Sequence, residues 1–122
     1  MKIKAYEPAF SIIGDPAKRN PGTRQSADHS MVYIISTLLR KAFEKHTHIF
    51  EENEPEDLWK YLMLIPKDYS HRAIFNETTR KIMKKIEFEH GGKEFDDLYP
   101  KGIPTSISIK TKSGQEYDSG LI

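Results

Sequence analysis

The chain has 122 residues, 37% hydrophobic and 30% charged, with 19 basic against 18 acidic side chains and a net charge of +1. That length suits one domain with a real core, and the even charge balance excludes a global field for nucleic acid or an anionic membrane surface. With no cysteine in the chain, disulfides, cysteine-bound zinc and a protein-ligated iron–sulfur cluster are excluded within it.

No apolar run approaches the roughly 18 residues of a membrane span, and the opening MKIKAYEPAF is not a signal peptide. The expectation is therefore a soluble, cytoplasmic protein with no membrane or nucleic-acid partner. Structured-looking pattern begins at once, with Ile3, Ala5, Tyr6, Ala9 and Phe10, so the chain reads as though it starts inside a larger protein.

In chain order, the alternation in residues 2–7 predicts a short strand. Residues 8–13 either extend it past Pro8 or form a helical turn. The segment GDPAKRNPGTR, residues 14–24, carries two prolines and two glycines and reads as a loop. Its cations Lys18, Arg19 and Arg24 lead into the longest apolar helical pattern. Met31, Ile34, Ile35, Leu38, Leu39, Ala42 and Phe43 recur at three- and four-residue steps, which predicts a helix over 28–45 with Ser26 or Asp28 as its N-cap.

Residues 51–57 read as an acidic loop. A short helix over 56–64 is expected to bury Leu58, Trp59, Leu62 and Met63 and to end at Pro66. Asn76 is a plausible N-cap for a helix through Lys85. Ile86 and Phe88 then alternate with glutamates as a strand that Gly91 and Gly92 break. Residues 93–99 carry a short acidic turn or helical piece. Ile103, Ile107 and Ile109 mark a strand, Lys112 to Gln115 a turn, and residues 116–122 the returning partner of a hairpin. Strands at both ends with helices between predict an α+β fold: a single domain, 1–122, with an antiparallel sheet covered by helices on one face in two layers.

Motifs for chemistry are few. His46 and His48 could approach a metal, but no ligand partner at suitable spacing joins them, so no metal and no cofactor is expected. The basic run 79–85 reads as a solvated helix face. What remains is Asp28-His29-Ser30 with Tyr33, preceded by the loop cations. A capped helix with structural roles for His29 and Tyr33 accounts for the spacing. The functional alternative is an anion site in which Lys18, Arg19 and Arg24 approach the helix start, and His29 and Tyr33 exchange protons with a bound carboxylate.

The run Gly14-Asp15-Pro16-Ala17-Lys18, followed by Thr23-Arg24-Gln25-Ser26-Ala27-Asp28-His29-Ser30-Met31-Val32-Tyr33, resembles the 2-methylcitrate dehydratase branch of the MmgE/PrpD family. Members carry a Gly-Asp-Pro-x-Lys loop and an Ala-Asp-His-Ser-x-x-Tyr helix start in that order. Residues 82–89, then Tyr99-Pro100-Lys101-Gly102-Ile103-Pro104 and the Ile107/Ile109 strand, are similar to the next segment of the family. Residues 45–75 match least.

The resemblance implies that residues 1–122 correspond to the smaller, C-terminal α+β domain of such an enzyme, without its large helical domain. It implies lyase chemistry of the methylcitrate cycle in propionate catabolism: dehydration of 2-methylcitrate to 2-methyl-cis-aconitate, without an iron–sulfur cluster. The implied partners are a small polycarboxylate substrate and the absent helical domain, with self-association through an exposed apolar patch. Eukaryotic members are mitochondrial, and no transit peptide is seen. Tyr33 is expected to reach into the interdomain cleft as a catalytic group with His29, while Ser30, Lys18 and Arg24 are expected to contact carboxylates. The isolated chain is expected to be inactive. The rival reading is a non-catalytic interaction or carboxylate-binding module.

Overall fold

A computed structural model describes residues 1–45 and 54–122. The chain is α+β, and its contacts divide it into two compact units, one formed by 1–16 with 85–122 and the other by 17–84. The pair His46 and His48 lies outside the described residues.

The first unit is built on a four-stranded sheet: β1 (Lys2–Ala5), β2 (Glu87–His90), β3 (Thr105–Lys110) and β4 (Glu116–Asp118), in the order β2-β1-β3-β4. β3 pairs antiparallel with β1 and with β4, as expected of this sheet. β2 departs from the expected all-antiparallel pairing: it runs parallel to β1, with Ile3 opposite Phe88. Parallel neighbours need a long crossover, and residues 6–86 supply one.

Alternation sets the faces of β1. Ile3 and Ala5 are fully buried, and with Ala9, Phe88 and Phe95 they form the core of this unit. After β1 the chain takes the helical option, a π-helical turn over Ala9–Ile13 closed by Gly14 N–H donating to the Ala9 carbonyl at 2.9 Å. Gly14 is required there, because a methyl group would overlap the Phe88 ring and the Phe10 carbonyl. The predicted C-terminal hairpin forms, turning at Gly114 with φ +89°. A short helix, Lys93–Asp96, occupies the acidic stretch; it is designated α6 below.

The second unit is helical. α1 (Arg24–Ala27) and α2 (Met31–Phe43) are followed by α3 (Pro55–Leu62), a 3₁₀ turn over Pro66–Tyr69, α4 (His71–Ile74) and α5 (Glu77–Met83). Asn76 caps α5 as anticipated, its side chain accepting from Thr79 N–H at 3.0 Å. α2 packs on α5, and the residues it buries are Val32, Tyr33, Ser36 and Thr37. This core is unusually rich in hydroxyls: Ser30, Ser36, Thr37 and Thr79 are fully buried beside Tyr33 and Ile74.

Two expectations for this unit are corrected. Trp59 and Met63 are exposed, at 62% and 46%. Leu58 and Leu62, at i and i+4, are half-buried and no residue of the helix is fully buried; Trp59 stands one position off that stripe, and Met63 leaves the helix in an extended conformation. Pro66 does not end α3. It opens the following 3₁₀ turn, where its missing N–H has no bond to lose.

Candidate functional site

The approach to α2 is two elements, where sequence pattern suggests one. Thr23 and Ser26 form a reciprocal capping box: Thr23 N–H donates to Ser26 Oγ at 3.0 Å and Ser26 N–H donates to Thr23 Oγ1 at 3.2 Å. That box starts α1, so Ser26 lies inside α1 and does not cap α2. Asp28 closes α1, its N–H reaching the Arg24 carbonyl. Ser30 then takes extended dihedrals and caps α2, accepting from Tyr33 N–H at 3.2 Å. The predicted start at Asp28 is thus moved to Met31, because the nearest cap with extended backbone is the one that opens a helix.

This shift separates residues expected to share a face. His29 sits in the turn between the helices with its side chain 71% exposed. Its Nδ1–H is shared between Asp28 Oδ1 at 2.5 Å and the Gln25 carbonyl at 3.2 Å. The Asp28 carboxylate, and after it the Gln25 carbonyl, hold the imidazole above its ordinary pKa, while Lys18 acts against that rise. The structure therefore joins Asp28 and His29 directly, while Lys18 acts on the ring only through its charge; the ring is oriented through Nδ1, and Nε2 has no partner among the described residues.

Tyr33 is placed differently. It is fully buried, and its hydroxyl donates to the Asp68 backbone carbonyl at 2.5 Å. Tyr69 packs obliquely against it, ring centres 6.0 Å apart, and burial pushes the phenol pKa up. The expectation that Tyr33 reaches into an open cleft is corrected: in this fold it anchors the Pro66–Tyr69 turn to α2. Ser30 is likewise fully buried and committed to capping, so it does not offer its hydroxyl to a substrate. Lys18 ends the 3₁₀ turn Pro16–Lys18 and is half-buried, whereas Arg24 is exposed at the first position of α1. No contact brings the Arg24 side chain to His29 among the described residues.

Sequence reasoning missed two structural cations of this unit. Arg80, read as part of a solvated face, donates to the Ile74 carbonyl at 2.8 Å and also binds Asn20 Oδ1 and the Pro21 carbonyl. It thereby holds the loop that leads to His29. Lys41 pairs with Asp68 at 3.0 Å, both side chains only 12% exposed. The signal available for either was slight: a cation on a helix gives no hint of a carbonyl 60 residues away. No protein-family model, curated protein or solved structure matches the chain.

Proposed function

We propose that this chain contributes one wall of the site of a hydro-lyase acting on a small polycarboxylate, in the manner of the 2-methylcitrate dehydratases its motifs resemble. The observation that carries the reading is the exposed, hydrogen-bonded Asp28–His29 pair, at the centre of the Gly-Asp-Pro-x-Lys and Ala-Asp-His-Ser-x-x-Tyr blocks. Dehydration breaks a C–O bond and a C–H bond on adjacent carbons. One group must take the proton next to a carboxylate, and another must protonate the departing hydroxyl.

His29 suits the second role. Asp28 keeps it protonated to higher pH than a free imidazole, and anchoring through Nδ1 leaves Nε2–H to deliver the proton as water leaves. Lys18 adds positive charge for a substrate carboxylate. The base belongs to the helical domain that the resemblance implies. Tyr33 supports the wall and does not touch the substrate.

The test combines this chain with a helical dehydratase domain and follows formation of the unsaturated product from 2-methylcitrate. His29→Asn should lower kcat by about 100-fold or more, and an unchanged kcat would overturn the reading. The chain alone should give no turnover. The alternative, a non-catalytic interaction module, is favoured by one feature: an apolar groove of about 280 Å³ lined by Leu98, Ile103, Leu121 and Ile122, which suits a docking helical partner or a second copy. Among the described residues no helix is long and apolar enough to cross a membrane, and a cytoplasmic or, in a eukaryote, mitochondrial setting goes with the proposed chemistry.

A further inference from the structure

A second polar feature of the helical unit shares no residue with the His29 neighbourhood. The C-terminal half of α2, α3, the Pro66–Tyr69 turn and α4 enclose an open cavity of about 540 Å³. Among the described residues its charged lining is unbalanced: Arg40, Lys41, Lys67 and Arg72 stand against Glu44 and Asp68. In a chain with net charge +1, a local excess of two positive charges in one cavity is not a reflection of overall composition.

The floor is built and held. Lys41 Nζ donates to Asp68 Oδ2 at 3.0 Å and to the Met63 carbonyl at 2.8 Å, and the Asp68 carboxylate also accepts from Ile65 N–H at 2.9 Å. Asp68 itself is fixed from behind by the buried Tyr33 hydroxyl. Arg40, 13% exposed, is oriented by Glu44 through Nη1 and by Thr79 through Nε at 3.0 Å. Its Nη2 has no partner among the described residues. At the rim, Lys67 and Arg72 are exposed, and their side chains have no ion-pair or hydrogen-bond partner among the described residues. Floor cations are thus paired with carboxylates, while rim cations and one edge of a partly buried guanidinium are uncommitted.

We propose that this cavity is a binding site for a small organic polyanion, a molecule with at least two carboxylate or phosphate groups. One group lies between Lys67 and Arg72, and the other meets the free edge of Arg40. The exposed rim cations lack a fixed counter-charge, and a dianion supplies one while matching the planar donor sets of two arginines. The volume lies within the range of metabolite pockets. Polycarboxylates and phosphate esters share this chemistry.

Isothermal titration of the full chain with citrate and, separately, with pyrophosphate tests the assignment and distinguishes the two sources. At least one anion should bind saturably, with Kd below about 1 mM at low salt and weakening as salt rises. The Lys67→Gln/Arg72→Gln double variant, changed only at exposed positions and checked by circular dichroism, should lose at least tenfold in affinity. Lys110→Gln, changed at an exposed cation of the sheet unit, should leave binding unaltered. The proposal is overturned if neither anion binds saturably, if the double variant binds as tightly as the parent, or if Lys110→Gln weakens binding as much as the double variant does.

Discussion

His29 and Tyr33 stand four residues apart and do opposite work. Tyr33 is sealed inside, and its hydroxyl satisfies a buried carbonyl. Tyr33→Phe removes the donor and leaves that carbonyl unpaired, so unfolding in urea should show a loss of about 1–2 kcal/mol; an unchanged midpoint and slope would mean the bond contributes nothing. His29 is exposed, and its charge state is the measurable quantity. Its folded pKa is raised by Asp28, so folding favours the protonated ring. The resulting stabilisation is fully present below the unfolded imidazole value, about 6.5, and is lost as pH rises through the higher folded value. His29→Asn should therefore flatten the decline in thermal midpoint over that window, whereas a parallel decline would assign the pH dependence elsewhere. The pair is solvent-screened, so the effect is small.

At the scale of elements, the helical unit depends on side chains that tie turns to helices. Asp68 joins α2 to the Pro66–Tyr69 turn twice, through its carboxylate to Lys41 and through its carbonyl to Tyr33. Asp68→Ala would leave a nearly buried ammonium unpaired and free the Ile65 N–H. The expected cost is about 3 kcal/mol in chemical denaturation, and a cost under about 1 kcal/mol, the range of an exposed pair, would place the bridge among ordinary surface pairs. Caps were unevenly legible. Asn76 could be read directly because it is the one capping residue before its helix. The start of α2 could not, since Ser26, Asp28 and Ser30 are all competent caps within five residues. The choice among them was made by the Thr23–Ser26 box, which draws Ser26 into a separate turn. Trp59 was misassigned for a related reason: an aromatic beside an apolar stripe looks buried until the helix phase is known.

For the molecule as a whole, the sheet unit draws together residues 1–16 and 85–122. The turn after β1 approaches β2 closely at Gly14, whose missing side chain admits the Phe88 ring. Gly14→Ala should destabilise that unit by about 2 kcal/mol through overpacking, visible as reduced hydrogen-exchange protection of β1 and β2 amides; unaltered protection would show that Phe88 can move aside. The sequence by itself determined the α+β class, the β1 and β3–β4 strands, the α5 cap and the presence of a helix at α2, because each is written in a local period or a short-range cap. The face that α2 buries is Val32, Tyr33, Ser36 and Thr37, not the apolar stripe, whose members are half-buried and end in an exposed Phe43. Only the tertiary structure decided that β2 runs parallel to β1, that Tyr33 is interior while His29 is exposed, and that Arg40, Lys41, Lys67 and Arg72 surround one cavity. Those outcomes depend on partners tens of residues apart, and no local pattern encodes which distant carbonyl or carboxylate a side chain will meet.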